Sequence, residues 1–223
     1  MKAVIVADGA HAPLDRHALA GADLVIAADG GAEWLARIGA VPDRLVGDLD
    51  SIDHDRVTTL TDRGVTIERH PVDKDASDLE LSVAAAVAAG ADDIVVLGAL
   101  GGDLDHLAGN LLLLGSELVA GRRLRLVHDR TTARMLIGPG ELELDATTGS
   151  RVSIFAVGDA ADGVTTRGLQ WPLADARLAG GASLGLANVV RDPPAGVAVR
   201  AGRLLVVQIE PDESTPESME GET

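Results

Sequence analysis

The sequence contains no cysteine, no tyrosine, one phenylalanine and two tryptophans among 223 residues. Without thiols there is neither a disulfide framework nor a thiolate metal centre, and the chain fits a reducing compartment. With so few aromatics the core has to be built from Val, Leu, Ile and Ala. Runs of these residues suit strands covered on both faces by helices. Positive charge is also scarce: 19 Lys and Arg stand against 35 Asp and Glu, a net charge of −16. That balance argues against a nucleic-acid or anionic-membrane partner. No apolar run is long enough to span a membrane, and Met1-Lys2-Ala3-Val4-Ile5-Val6 enters a strand pattern without a signal-peptide layout. The expectation is a soluble, cytoplasmic protein. Its acidity suits a metal cation or a cationic substrate, and equally plain solubility.

What is present falls into two patterns. Up to about residue 130, short aliphatic strands (Lys2–Ala7, Leu24–Ala28, Arg44–Val46, Val65–Glu68, Ile94–Leu97, Leu124–Val127) alternate with helix patterns. The helices fall at Ala32–Ile38, His54–Asp62, Asp78–Ala89 and His106–Val119. This alternation predicts βαβ units and a parallel, Rossmann-like α/β domain over residues 1–130. Ser77 followed by Glu80 forms a capping box for the third helix, and Gly90 marks its stop. That helix is apolar almost all round and is expected to be buried on more than one side.

Beyond residue 130 the strands are short and punctuated by Gly, Asp and Pro. Ala133–Ile137 and Glu141–Leu144 read as a hairpin, followed by Arg151–Val157, Val164–Thr166, Ser183–Leu186, Val197–Arg200 and Arg203–Ile209. The pattern predicts an antiparallel β-sandwich over residues 131–210. Residues 211–223 are acidic and polar with almost nothing apolar, which predicts a disordered acidic tail.

In open α/β sheets, ligands bind beyond the carboxyl ends of the strands, so the strand ends are the places to look for chemistry. Asp29-Gly30-Gly31 follows the second strand and lets backbone amides approach a phosphate, or simply turns the chain. Gly47-Asp48-Leu49-Asp50-Ser51 follows the third. Two carboxylates one residue apart are hard oxygen ligands for Mg²⁺, or a solvated acidic turn. After the fourth strand, Asp73-Lys74-Asp75-Ala76-Ser77-Asp78 gathers three carboxylates and a lysine at a helix start. Asp78 is stabilised there by the helix dipole and is placed to reach a metal, while Lys74 can offset phosphate charge. Gly98-Ala99-Leu100-Gly101-Gly102-Asp103-Leu104-Asp105-His106 is a glycine-rich strand-to-helix loop suited to a nucleotide, without Rossmann or Walker A spacing. No single stretch decides the function. Their shared position favours a nucleotide and magnesium site.

Taken together, and in this order, these stretches resemble the thiamine pyrophosphokinase family. Pro42-Asp43, Leu79-Glu80, Gly168-Leu169-Gln170-Trp171-Pro172-Leu173 and Ser183-Leu184-Gly185 through Asn188 add to the match, which covers nearly all of the chain except the tail. The resemblance implies transfer of the pyrophosphoryl group of ATP to the hydroxyethyl oxygen of thiamine, giving thiamine diphosphate and AMP. It implies a homodimer with thiamine at the subunit interface. It also implies roles for particular residues. Asp48, Asp50 and Asp78 would bind Mg²⁺, with Lys74 beside them in catalysis. Asp29, Gly30, Gly31, Asp75, Ser77, Gly98, Gly101, Gly102, Asp105 and His106 would hold ATP. Trp171, Asn188 and Ser183 would contact thiamine. An indole face attracts a thiazolium cation; read without the family, Trp171 would instead plug the core of the sandwich, and Trp34 reads as core in either case.

Three positions depart from the family pattern: Asp103 in place of a basic residue, Ala187 in place of a serine and Glu33 in place of an asparagine. Three rival readings keep the same strand-end residues. One is a pyrophosphokinase for another alcohol such as a hydroxymethylpterin. Another is a magnesium-dependent phosphohydrolase with Asp48 as nucleophile. The last is a non-catalytic protein that binds thiamine or a nucleotide.

Overall fold

A computed structural model describes residues 1–50 and 52–212. Ser51 and, of the tail expected to be disordered over 211–223, residues 213–223 lie outside the described residues. The chain divides into two compact units, one ending at Asp129 and the other beginning at Arg130.

The first unit is built on parallel strands. They are β1 (Lys2–Val6), β2 (Leu24–Ala28), β3 (Arg44–Gly47), β4 (Thr66–Arg69), β5 (Asp93–Leu97) and β6 (Arg123–His128), in the order β6-β5-β1-β2-β3-β4. Every pairing among them is parallel. Helices α1 (Gly31–Arg37), α2 (His54–Asp62), α3 (Asp78–Ala88) and α4 (Leu104–Leu113) connect them. Ala3, Val4, Ile5 and Val6 of the central strand β1 are completely buried, as an unbroken aliphatic strand in a covered parallel sheet must be. The order reverses on either side of β1, so the carboxyl ends of β1, β2 and β5 open onto one crevice.

Ser77 caps α3, its hydroxyl accepting from the Glu80 amide at 3.1 Å. The small residues Ser82, Ala85 and Ala86 let this helix lie close to the sheet on one broad buried face with Leu79 and Val83. Of its remaining apolar residues, Leu81, Ala84 and Val87 are half-buried and Ala88 is exposed. The helix expected over His106–Val119 starts two residues earlier and ends at Leu113. Gly115 interrupts it, and a short 3-10 turn follows at Glu117–Val119. Although it is rich in leucine, α4 buries none of its residues, and Leu104 and Leu112 are exposed.

The second unit has two sets of antiparallel strands. One holds β7 (Thr131–Ile137), β9 (Arg151–Ala156), β12 (Asn188–Val189) and β14 (Arg203–Ile209), in the order β12-β9-β14-β7. The other holds β8 (Gly140–Leu144), β10 (Ala161–Arg167), β11 (Ala176–Leu178) and β13 (Ala195–Val199), in the order β11-β10-β13-β8. A single apolar cluster draws Ile154, Leu204 and Val206 from the first set and Leu144, Val164 and Val197 from the second.

Two local expectations are corrected. The stretches read as a hairpin do not pair with each other: β7 pairs with β14 and β8 with β13, so the chain changes sheets at Gly138-Pro139. Their alternation is real, but a local sequence does not specify the partner strand. Ser183–Leu186 is a turn rather than a strand. The Leu186 amide closes back on the Ser183 carbonyl at 3.0 Å, and Leu184 and Leu186 are exposed.

Leu45 in β3 is completely buried and lies two residues before Gly47, where the Gly47-Asp48 turn begins. Leu45→Ala is expected to cost about 2–5 kcal/mol of stability, as truncations of buried aliphatics do. The same truncation at the exposed Val72 should change stability by no more than about 0.5 kcal/mol. Urea unfolding of the two variants beside the parent chain measures both.

Candidate active site

The site begins where β2 and β3 end. Asp29 follows β2 directly with φ 44°, and its amide donates to the Val46 carbonyl of β3 at 2.9 Å, which ties the two strand ends together. Beyond β3 the chain turns through Asp48-Leu49-Asp50. Leu49 takes a left-handed conformation, φ 65°, uncommon for a branched side chain. Two anchors hold it there: the buried Leu49 side chain in the apolar core, and an Asx turn in which the Asp50 amide donates to Asp48 Oδ1 at 3.2 Å. As a result Asp29, Asp48 and Asp50 each bring a carboxylate oxygen within 4.8 Å of the others.

The neighbouring connection contributes the counter-charge. The Lys74 ammonium sits 3.0 Å from Asp48 Oδ2 and 2.9 Å from Asp78 Oδ1, bridging the β3 turn to the first turn of α3. The approach depends on Gly47: a Cβ there would stand 3.2 Å from both Asp78 Oδ1 and the Asp29 Cβ. The hydrogen bond from Lys74, reinforced by the Asp50 amide, holds the Asp48 carboxyl below its usual pKa. Partial burial lowers the Lys74 pKa, but its bonds to Asp78 and Asp48 outweigh that, and the net shift is upward. In this chain Lys74 neutralises carboxylates. Asp78, expected as a third member of the Asp48–Asp50 set, meets Asp48 through that ammonium, and Asp29 occupies the third place in the close carboxylate set. Asp75 is exposed and Ser77 is engaged in capping.

The glycine-rich loop starts at Gly98, whose φ of 72° and tight surroundings only glycine tolerates: a Cβ would come within 2.5 Å of the Ala7 carbonyl. Asn110, on α4, donates to the Ala99 carbonyl at 3.0 Å and pins the loop to the helix. Asp105 and His106 are exposed and, with Asp103, form a second acidic group at the start of α4. A cavity of about 520 Å³ runs from Ser77 and Glu80 along α4 past Asp105, His106 and Asn110.

In the second unit, Trp171 is 57% exposed and therefore does not plug the core. Asn188 is 7% exposed, and its amide is committed to the Trp171 backbone: Oδ1 accepts from the Trp171 amide at 3.1 Å, and Nδ2 donates to the Trp171 carbonyl at 2.7 Å. Asn188 therefore influences any ligand through the indole it holds out. Ser183 is exposed in its turn. Sequence reasoning missed Asp8 and His11. Both follow β1, and the same strand-end rule applied to that strand would have reached them.

These features define an α/β protein with an acidic, lysine-bridged strand-end site suited to a divalent cation and phosphates. Residues 16–126 match the family model "Thiamin pyrophosphokinase, catalytic domain", and residues 141–204 match "Thiamin pyrophosphokinase, vitamin B1 binding domain". The thiamine pyrophosphokinase of Bacillus subtilis (strain 168) is 26% identical over 166 residues, covering 74% of this chain and 77% of that one. Thiamine pyrophosphokinase 2 of Oryza sativa subsp. japonica is 27% identical over 159 residues, 67% of this chain but 59% of that longer one. The crystal structure of the Bacillus subtilis thiamine pyrophosphokinase has a TM-score of 0.84 at 23% identity, covering 94% of this chain and 99% of that one, a likeness of fold. The chain belongs to the thiamin pyrophosphokinase family.

The Lys74 bridge predicts a pH signature. A lowered Asp48 pKa contributes stability that is present at neutral pH and lost as pH falls through that lowered value. A raised Lys74 pKa contributes stability that is lost only as pH rises through the raised value. The stability gap between the parent chain and Lys74→Met should therefore be widest at neutral pH and close toward both extremes. Urea midpoints across pH, taken in chelator, measure it; a gap independent of pH would show that the bridge adds no linked stability.

Proposed function

We propose that the chain is a thiamine pyrophosphokinase that transfers the pyrophosphoryl group of ATP to the hydroxyethyl oxygen of thiamine, releasing AMP. The observation that carries the reading is the meeting of Asp29, Asp48 and Asp50 within 4.8 Å, beside two glycine loops at the carboxyl ends of a parallel sheet. The proposed architecture is a Rossmann-like catalytic domain followed by a thiamine-binding β-sandwich.

Three hard carboxylate oxygens this close suit Mg²⁺, which takes a few carboxylates and completes its shell with phosphate and water. Asp48 and Asp50 would hold it with Asp29, and Asp78 would join from across the Lys74 ammonium. When bound, the ion supplies charge neutralisation and Lewis acidity toward the phosphates. The remaining work is positioning, on which phosphoryl-type transfer depends most. The loops at Asp29-Gly30-Gly31 and Gly98–Gly102 offer backbone amides to the phosphates, with Asp105 and His106 at the outer edge. Asp75 and Ser77 flank the start of α3 beside them. Lys74, held between two carboxylates, is ready to exchange one of them for a phosphate oxygen. The thiamine oxygen attacks the β-phosphorus as the bond to AMP breaks, and a carboxylate of the cluster takes the hydroxyl proton.

Trp171 offers an indole face to the thiazolium cation, an attraction of about 0.5–2 kcal/mol, with Asn188 fixing its backbone and Ser183 at the neighbouring turn. A homodimer is proposed as well; the exposed leucines of α4, a helix that buries none of its own residues, support it.

The direct test is incubation with ATP, Mg²⁺ and thiamine, with the products separated. Thiamine diphosphate and AMP are expected. Inorganic phosphate without AMP would point to a hydrolase, and turnover only with a pterin alcohol would point to another acceptor. Asp48→Asn should remain folded and lose about 100-fold or more of AMP formation, the scale of removing a group that stabilises transition-state charge. Trp171→Ala should raise the KM for thiamine well above any change in the KM for ATP; equal effects on the two would mean that the indole only supports the fold.

A further inference from the structure

The segment after β1, Ala7 to Ala12, runs between the two glycine loops. The Gly9 amide donates to the Gly98 carbonyl at 3.1 Å, and the Asp8 carboxylate packs where Gly30 has no side chain. Its shape is set by a buried imidazole. The His11 side chain is 4% exposed, and its Nε2 lies 2.9 Å from the Ala7 carbonyl. A carbonyl only accepts, so Nε2 carries the proton. Burial pulls the His11 pKa below its ordinary value against the opposing bond to Ala7, so the ring is neutral at neutral pH.

One face of the ring stacks on Trp34 of α1, with centroids 4.4 Å apart and planes 17° apart. Trp34 lies one turn into the helix that Gly30-Gly31 opens. The ring edge rests on Gly98, where a Cβ would meet His11 Cε1 at 2.6 Å. The backbone around the ring is anchored by Asp15, whose side chain is fully buried. Asp15 Oδ2 accepts from the Ala12 amide at 2.8 Å, and Oδ1 accepts from the Asp129 amide beyond β6 at 2.7 Å. His128 Nδ1 stands 3.4 Å from the same carboxylate.

We infer that His11 is a positioning residue for nucleotide binding, setting the spacing of the Gly98 loop and the Gly30-Gly31 loop by filling the space between Gly98 and Trp34. The inference rests on the reading that these loops hold ATP. It assigns His11 no contact with substrate. Losing the ring frees Gly98 on one side and α1 on the other, so the two sets of phosphate-facing amides no longer keep a common spacing. A shift of that kind far from the reacting atoms costs affinity and rate even when every phosphate contact is retained in sequence.

The test is calorimetric titration of the full chain with a non-hydrolysable ATP analogue and, separately, with thiamine. It uses the parent, His11→Ala and His11→Phe, with thermal melting of each. His11→Phe keeps the stack and the bulk against Gly98 but loses the bond to Ala7. His11→Ala should weaken the analogue by about tenfold or more and leave thiamine unchanged, and His11→Phe should recover most of the loss. Unchanged analogue affinity in His11→Ala overturns the inference. So does an equal loss for both ligands that tracks a lower melting temperature, which would leave His11 a purely structural role. A parent chain that binds thiamine but no nucleotide overturns the ATP reading, and this inference falls with it.

Discussion

One ammonium group holds the centre of this structure together. Lys74 lies between Asp48 and Asp78, and without it the turn after β3 and the start of α3 would face each other as like charges. The sheet order puts those ends side by side, and the absence of a side chain at Gly47 lets them approach. The acidic site is therefore a compromise. It gathers three carboxylates within 4.8 Å of one another and sets one positive charge between Asp48 and Asp78 to offset their repulsion. A lysine suits that place better than an arginine, because a point charge on a flexible stem can sit between two carboxylates without needing the planar fork of bonds that a guanidinium makes.

Around this centre the chain puts conformational strain to use. Asp29 and Leu49 both take left-handed conformations within the stretch that forms the carboxylate set. For Leu49 the cost is of order 1 kcal/mol or more, and it is offset by anchoring the side chain in the core. Rigid support under a polar turn keeps carboxylates at fixed separations, which a site that binds a small, geometrically demanding cation requires. The second unit works the same way at smaller scale: a buried amide, Asn188, holds an exposed indole by its backbone.

The parallel half of the fold was legible because its physics is local and repeated. Strands of four to six residues that alternate with short helices leave little freedom once crossovers are taken as right-handed. His54–Asp62 and Leu24–Ala28 were found at their observed bounds. Misreadings arose where the outcome depended on remote partners. β7 and β8 look like a hairpin because each alternates correctly, but β13 and β14, some sixty residues later, claim them. Ser183–Leu186 has strand composition but no neighbour to complete a ladder.

The loops proposed to carry the chemistry stood out in the sequence, because strand ends in such a sheet are where ligands bind and because Asp, Gly and Lys gather at several of those ends. Which side chains meet was decided only by the tertiary structure. That Asp29 completes the set with Asp48 and Asp50, that Asp78 reaches it through Lys74, and that Asn188 spends its amide on Trp171 all depend on angstrom-scale distances between residues on separate connections of the chain. The strand-end rule leads to the stretch after β1, but nothing local in the sequence says that His11 is buried between Gly98 and Trp34 or that Asp15 is buried beneath it. Sequence determines which elements form because propensity and periodicity act over a few residues. It does not by itself determine their contacts, which are set by the packing of all the elements at once.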